Sequence, residues 1–232
     1  LIRKQEQVFV ILGSEIILPP GYDIEPFLAM HYNIIARETL ILDLRQNEGE
    51  LWRIIGDKNR NMVRKAEKNR VKIVEADDSS IEEFYKMMIA TYARLNLGAP
   101  PEIDFYKRAF ELLFPKNMVK MILAVYDGKP IAGAIFLLFK DTMIYWKAAS
   151  YKEYWKVAPN NLIQWYVIRT ANRLGYKHYD LLHYHDKKGN IMSSLKSFKQ
   201  GFGAKPKEFY IAKKMFGLYR FAKSIKKYFE II

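Results

Sequence analysis

Between residues 118 and 149 the pattern of the chain has a period of two, over three segments joined by very short connections. The segments are MVKMILAVY (118–126), PIAGAIFLLF (130–139) and TMIYWKAA (142–149), with Asp127-Gly128 and Lys140-Asp141 between them. A period of two places alternate side chains on opposite faces of a strand, and an Asp-Gly pair between two such runs is a hairpin signal. Three consecutive antiparallel strands are therefore expected in the middle of the chain, the last of them opening the stretch from Thr142 to Gly203 around which the rest is organised. The loop SYKEYWKVAPNN (150–161) follows, then a helix over LIQWYVIRTANRLG (162–175) that stops at Gly175, a favoured residue just past a helix end. Its crossover leads to a strand at 178–182. MSSLKSFKQGFG (192–203) reads as a short helix and turn, and EFYIAKK (208–214) as the last strand.

Upstream, VFVILG (8–13) and EIIL (15–18) read as strands, broken by Gly13 and stopped by Pro19, Pro20 and Gly21. TLILDL (39–44) is another strand. A helix is expected over 48–69, with Leu51, Trp52, Ile55, Met62, Val63 and Ala66 as its apolar set and Gly56 as its weak point. VKIVEA (71–76) is a short strand. Ser79 and Glu82 have the spacing of a capping box. They open a helix whose apolar residues Ile81, Phe84, Tyr85, Met88, Tyr92 and Leu95 recur at three or four. A second helix over 104–114 stops at Pro115, and a final amphipathic helix is expected over 216–229.

The 232 residues are half hydrophobic, enough for a sizeable core, and no apolar run reaches the ~18 residues needed to span a bilayer. Cysteine is absent. This excludes disulfides, thiolate zinc sites and a cysteine nucleophile, and fits a cytoplasmic protein. The net charge is +13, and two segments carry 12 of the excess charges. Residues 58–72 hold seven Lys/Arg against Glu67, and residues 204–232 hold eight against Glu208 and Glu230. Such segments fit a polyanionic partner, whether RNA, an anionic membrane surface or a phosphorylated substrate. They equally fit two solvated helix faces.

From Val71 onward the element order is β, α, α, β, β, β, α, β, α, β, which resembles the GNAT acyltransferase fold. Specific motifs sharpen the resemblance. TLILDL, Glu50-Leu51-Trp52, Lys58-Asn59-Arg60, Val63-Arg64-Lys65-Ala66 and Val71 are similar to the signature that opens the second domain of FemABX-type proteins, the peptidoglycan bridge-forming aminoacyltransferases. Four further features match: DGKPIAG (127–133), Pro159-Asn160-Asn161 before the helix, Gly175 with Tyr179-Asp180 after it, and Phe198-Lys199 with Phe202-Gly203. Together they cover residues 39–214, three-quarters of the chain.

The resemblance implies an α/β fold, a GNAT-like mixed, mostly antiparallel central sheet flanked by helices. It also implies a domain plan: residues 1–45 as the remnant of a first GNAT-like half, 46–214 as the acyltransferase domain, and 215–232 as a basic helix packed on it. The implied activity is transfer of an aminoacyl group from an aminoacyl-tRNA, or of another acyl group, to an amine of a cell-envelope precursor such as a lipid- or nucleotide-linked muropeptide. No resident cofactor is expected, the aminoacyl-tRNA or acyl-CoA being a co-substrate. The protein would be cytoplasmic, with contact to the inner face of the membrane. Two rival readings stand beside this one, an acyl-CoA-dependent GNAT N-acyltransferase and a non-catalytic module that binds RNA or an anionic surface.

Acyl transfer to an amine requires a neutral amine at the carbonyl and stabilisation of the oxyanion that forms. Lys199 suits the second task. It follows Phe198 on a short helix and precedes Gly201 and Gly203, which let backbone approach a ligand; the matching lysine of the family assists transfer and contacts phosphate. The other reading is a surface lysine on an amphipathic helix. The loop 150–161 occupies the place where acetyl-CoA users carry glycines that let a helix N-terminus cradle pyrophosphate. This loop has no glycine. That disfavours acetyl-CoA, and Tyr151 and Trp155 beside Lys152 and Lys156 could stack on a base or a sugar, or simply cover the sheet edge. Asn160 is a substrate-binding candidate, and either it or Asn161 is expected to cap the helix. Arg60 and Arg64, one turn apart, and Lys65 are candidates for a phosphate clamp, or solvated charges on a structural helix. His183 is a candidate general base just past the strand at 178–182. His183, His185 and Asp186 do not converge well from one strand end, so no metal site is expected. The loop and Lys199 are expected to face one reaction site.

Overall fold

The computed structural model describes residues 13–182, 184 and 192–215. They fall into two compact units, one of residues 39–206 and one that takes in the chain on either side of it. In the smaller unit β1 (Gly13–Leu18) pairs antiparallel with β8 (Lys205–Met215), from Gly13 opposite Met215 to Leu18 opposite Tyr210. The short α1 (Glu25–Ala29) has Pro26 in its first turn, and Lys214 Nζ donates to the Met30 carbonyl at 2.7 Å.

The larger unit is built on residues 39–43 of β2 (Asn33–Asp43) together with β3 (Lys72–Ala76), β4 (Val119–Tyr126), β5 (Lys129–Phe139), β6 (Thr142–Ser150) and β7 (His178–Asp180), in the order β2-β7-β6-β5-β4-β3. Every neighbouring pair is antiparallel except β6 and β7. The period-two stretch forms β4, β5 and β6 as expected. Asp127 and Gly128 both have positive φ, 49° and 75°, as a two-residue hairpin turn requires.

Alternation along the strands builds two cores. Ile122, Ala124, Ala134 and Phe136 face α2 (Glu48–Ile54), α3 (Asp57–Lys68) and α6 (Pro159–Arg173), where Leu51, Val63 and Ile168 are buried. Met121, Leu123 and Ile135 face α4 (Ile81–Arg94) and α5 (Ile103–Leu113), with Phe84, Met87, Tyr106 and Phe110. The fold is thus a mixed, mostly antiparallel sheet with helices on both faces, and α7 (Ser193–Gln200) belongs to the same unit. Among the described residues no helix is long and apolar enough to cross a membrane.

Three local expectations need correction. The helix over 48–69 is two helices, because Ile55 is extended (ψ 128°) and the Gly56 N–H turns away to the Gly201 carbonyl at 2.9 Å. A capping box does open α2, between Asn47 and Glu50. The box expected at Ser79 and Glu82 does not form. The Asp77 carboxylate takes the Ser79 N–H at 3.0 Å, and a 3₁₀ turn, Asp78–Ser80, precedes α4. Finally, neither Asn160 nor Asn161 caps α6. The helix begins at Pro159 from Ala158, which adopts a left-handed φ of 53°, so both asparagines lie inside the first turn. The helix expected over 216–229 lies outside the described residues.

Candidate active site

β6 and β7 pair over only three positions, Thr142 with His178, Met143 with Tyr179 and Ile144 with Asp180. A parallel pair needs a long crossover, here the segment through α6, and beyond Ile144 the two strands part. A bulge in β6 leaves Trp146 without a partner on β5, a common device beside functional sites. Lys199 lies at this opening. Its Nζ donates to the Leu182 carbonyl at 3.4 Å and sits 6.0 Å from the centre of the Tyr145 ring. Leu182 presents that carbonyl from a left-handed conformation, φ 60°, which is uncommon for a residue with a side chain. The Asp180 carboxylate is fixed by the Thr39 hydroxyl and by the Leu182 N–H at 2.8 Å. Lys199 is only 4% exposed. Burial brings its pKa from the ordinary 10.5 down to about 8, while Asp180 pulls it back up. The ammonium is thus mostly charged at neutral pH, in a low-dielectric place where its field is strong, and it gives up its proton more readily than an exposed lysine.

A cavity of about 230 Å³ lies at the start of α6, lined by Trp155, Ala158, Pro159, Asn160, Asn161 and Phe198. Trp155 is half exposed yet held from several sides. Its Nε1 donates to Ser150 Oγ at 2.9 Å, and the Arg94 guanidinium lies 4.7 Å from the ring centre. Arg94 Nη1 also donates to the Ser150 carbonyl at 2.9 Å, and Asn160 Nδ2 to Ser150 Oγ at 3.2 Å. Thr91 Oγ1 accepts the Ser150 N–H at 3.1 Å. Ser150, the last residue of β6, is therefore the anchor of the loop that follows. That loop is two turns of 3₁₀ helix, Lys152–Val157. The first turn of α6 carries no acidic residue and no side-chain cap, so its N–H groups and the positive end of the helix dipole are available to an anion.

Behind the cavity three helix ends meet. Asn59 of α3, 6% exposed, accepts from Asn161 Nδ2 at 3.1 Å and donates through its own Nδ2 to the Phe198 carbonyl at 3.1 Å. The Gly56 N–H holds the Gly201 carbonyl. The start of α3 and the end of α7 thus satisfy each other's unpaired backbone groups.

The expected residues are distributed as follows. Trp155, Asn160 and Phe198 share the cavity. Lys199 does not line it, although the adjacent Phe198 does. Tyr151 is directed to the other side of the sheet, packed on the core under α4 and α5. Arg60 donates to the carbonyls of Trp52 and Arg53, at 3.4 and 2.8 Å, and pairs with Asp57. Arg64 is exposed, 5.4 Å over the Trp52 ring, and Lys65 is exposed. His183 lies outside the described residues. Sequence reading missed Ser150 and Arg94, and gave Asn59 no role beyond its place in the motif Lys58-Asn59-Arg60. Asn59 had a signal, since it is the polar member of the stripe Ile55, Asn59, Val63, Ala66.

Residues 57–190 match the family model of the acetyltransferase (GNAT) domain. No curated protein matches the sequence. Among solved structures, FemX superposes with a TM-score of 0.69 at 16% identity, over 81% of this chain and 67% of FemX. L-PGS from Bacillus licheniformis superposes with a TM-score of 0.61 at 12% identity, over 85% of this chain and 67% of that one. The C-terminal domain of a candidate lysylphosphatidylglycerol synthetase from Agrobacterium fabrum gives 0.61 at 11% identity, over 87% and 67%. At such identities the likeness is one of fold. The family model, however, matches more than half of the sequence, and the chain belongs to the acetyltransferase (GNAT) domain family.

Proposed function

We propose that the protein is an aminoacyltransferase, taking the aminoacyl group of an aminoacyl-tRNA to an amine on a cell-envelope precursor such as a muropeptide. The observation that carries this reading is the pair of features on α7, where Phe198 walls an aromatic cavity at the α6 N-terminus and Lys199 sits buried in the opening between β6 and β7. The amine nitrogen attacks the ester carbonyl of the donor, a C–N bond forms, the C–O bond to the ribose breaks, and the amine proton passes to the leaving oxygen. Lys199 stabilises the oxyanion and is acidic enough to share its proton. The α6 N–H groups hold a donor phosphate, and Trp155 stacks on the base or sugar beside it. The motif resemblance to FemABX proteins and the fold likeness to FemX support this donor and acceptor. A glycine-free loop, anchored by Ser150 and filled by Trp155, leaves little room for a pyrophosphate to be wrapped by backbone. The alternative is an acyl-CoA donor, for which the family model speaks; an RNA or anionic-surface module without catalysis is the third.

The test is transfer of a labelled amino acid from charged tRNA to a nucleotide-linked muropeptide, read by mass spectrometry, beside acetyl-CoA titrated by calorimetry. Wild-type protein transfers from tRNA, and Lys199→Ala loses about 100- to 1,000-fold in rate while remaining folded. Unchanged turnover in the variant removes the role of Lys199. Micromolar acetyl-CoA binding with acetyl transfer moves the assignment to the second reading.

A further inference from the structure

We infer that Asn59 is a positioning residue of this site, whose single carboxamide sets both the width of the cavity at α6 and the place of Lys199. The inference rests on the reading of Lys199 and the cavity given above. Asn161 and Phe198 lie on the cavity wall, and Asn59 holds both from behind, accepting from one and donating to the other. A carboxamide offers an acceptor and a donor in one rigid plane, so the two wall groups are spaced by the dimensions of one side chain. Lys199 is bracketed in the same way. The carbonyl before it, Phe198, is held by Asn59, and that of Gly201 two residues on by the Gly56 N–H.

The neighbours are shaped to admit this amide. A Cβ at Gly201 would meet Asn59 Nδ2 at 2.6 Å and the Ser197 carbonyl at 3.1 Å. The absence of a side chain at position 201 thus makes room for the Asn59 amide. A role in holding α3 to the sheet alone would be served by an apolar residue, as at Val63 and Ala66 one and two turns on, without the cost of burying a polar group. The hydrogen bonds of Asn59 go instead to residues 102 and 139 positions away in sequence, both at the site.

The test needs no substrate. The Lys199 side-chain carbon next to Nζ is followed by NMR through a pH titration, its signal assigned by its loss in Lys199→Met. In Asn59→Ala and in Gly201→Ala the Lys199 midpoint rises by about half a pH unit or more as the α7 segment relaxes toward water. Val63→Ala, which loses buried apolar volume on the same helix but carries none of these hydrogen bonds, leaves the midpoint within about 0.2 unit. An unmoved midpoint in folded Asn59→Ala overturns the inference, and if that variant does not fold, Gly201→Ala decides by the same criterion. The wild-type protein gives an independent reading. The Asn59 side-chain amide protons exchange about 100-fold or more slowly than those of a solvated amide, and exchange at the solvated rate overturns the inference without any variant. Absence of transfer from every donor would remove the functional reading and leave these outcomes untouched, whereas an unmoved Lys199 in a protein that transfers would remove the positioning role alone.

Discussion

An ammonium that is 4% exposed is costly to keep charged, and the cost at Lys199 has a measurable pH signature. Its folded pKa of about 8 lies below the ordinary 10.5. Between those values the unfolded chain holds the proton and the folded protein has released it. Unfolding therefore takes up a proton, and stability rises with pH across that window. Below pH 8 both states are protonated and the full cost of burial is felt. Lys199→Met removes this contribution. The stability of the variant relative to wild type, measured by urea unfolding, should fall by up to about 3 kcal/mol from pH 7.5 to 10.5; a difference that does not change with pH means Lys199 is solvated. At this scale the sequence was unevenly legible. Lys199 and Phe198 could be singled out because the resemblance marks them, and Trp155 because a glycine-free loop is conspicuous. Ser150 and Arg94 could not, because their meeting depends on residues 56 positions apart converging at the end of β6. Tyr151 was grouped with Trp155 by proximity in sequence, yet Tyr151 packs on the core under α4 and α5 while Trp155 lines the cavity.

The helices show where local rules prevailed and where they were overruled. The strand run and α4 followed from periodicity, and the ends of α5 and α6 from their stop signals. The split between α2 and α3 did not, because the partner that draws Gly56 out of the helix is a carbonyl 145 positions later, on Gly201. The turn after α7 is fitted to the end of α2 by a glycine. Gly203 has φ 87°, and a Cβ there would lie 3.0 Å from Ile54 Cγ1. Gly203→Ala should lose roughly 3 kcal/mol, combining backbone strain with the clash. Gly128→Ala, also left-handed at φ 75° but with nothing near its Cβ, should lose only about 1–2 kcal/mol. Chemical denaturation of the pair separates the two causes, and equal losses would show that Ile54 gives way freely.

For the molecule as a whole, charge follows architecture. Apolar residues of α3 face the sheet, while Lys58, Arg64, Lys65 and Lys68 are exposed on its outer side. Among the described residues Lys58, Lys65 and Lys68 have no ion pair. The helix starts at the junction behind the cavity, so its cations run outward from the site. If the donor is carried on RNA, uncharged tRNA should bind with strong salt dependence. Replacing the four residues by glutamine should lower the slope of log affinity against log salt by about 3, measured by fluorescence anisotropy. An unchanged slope places the RNA elsewhere.

The connection between β6 and β7 has one more consequence. Because the strands run the same way, the chain cannot return by a tight turn, and the return path is itself the wall of the cavity. Five of the six cavity-lining residues lie on that return path, and the sixth, Phe198, follows β7 on α7. A chain whose β7 and α7 have not docked lacks a complete cavity, so partly folded molecules should be inert rather than indiscriminately reactive.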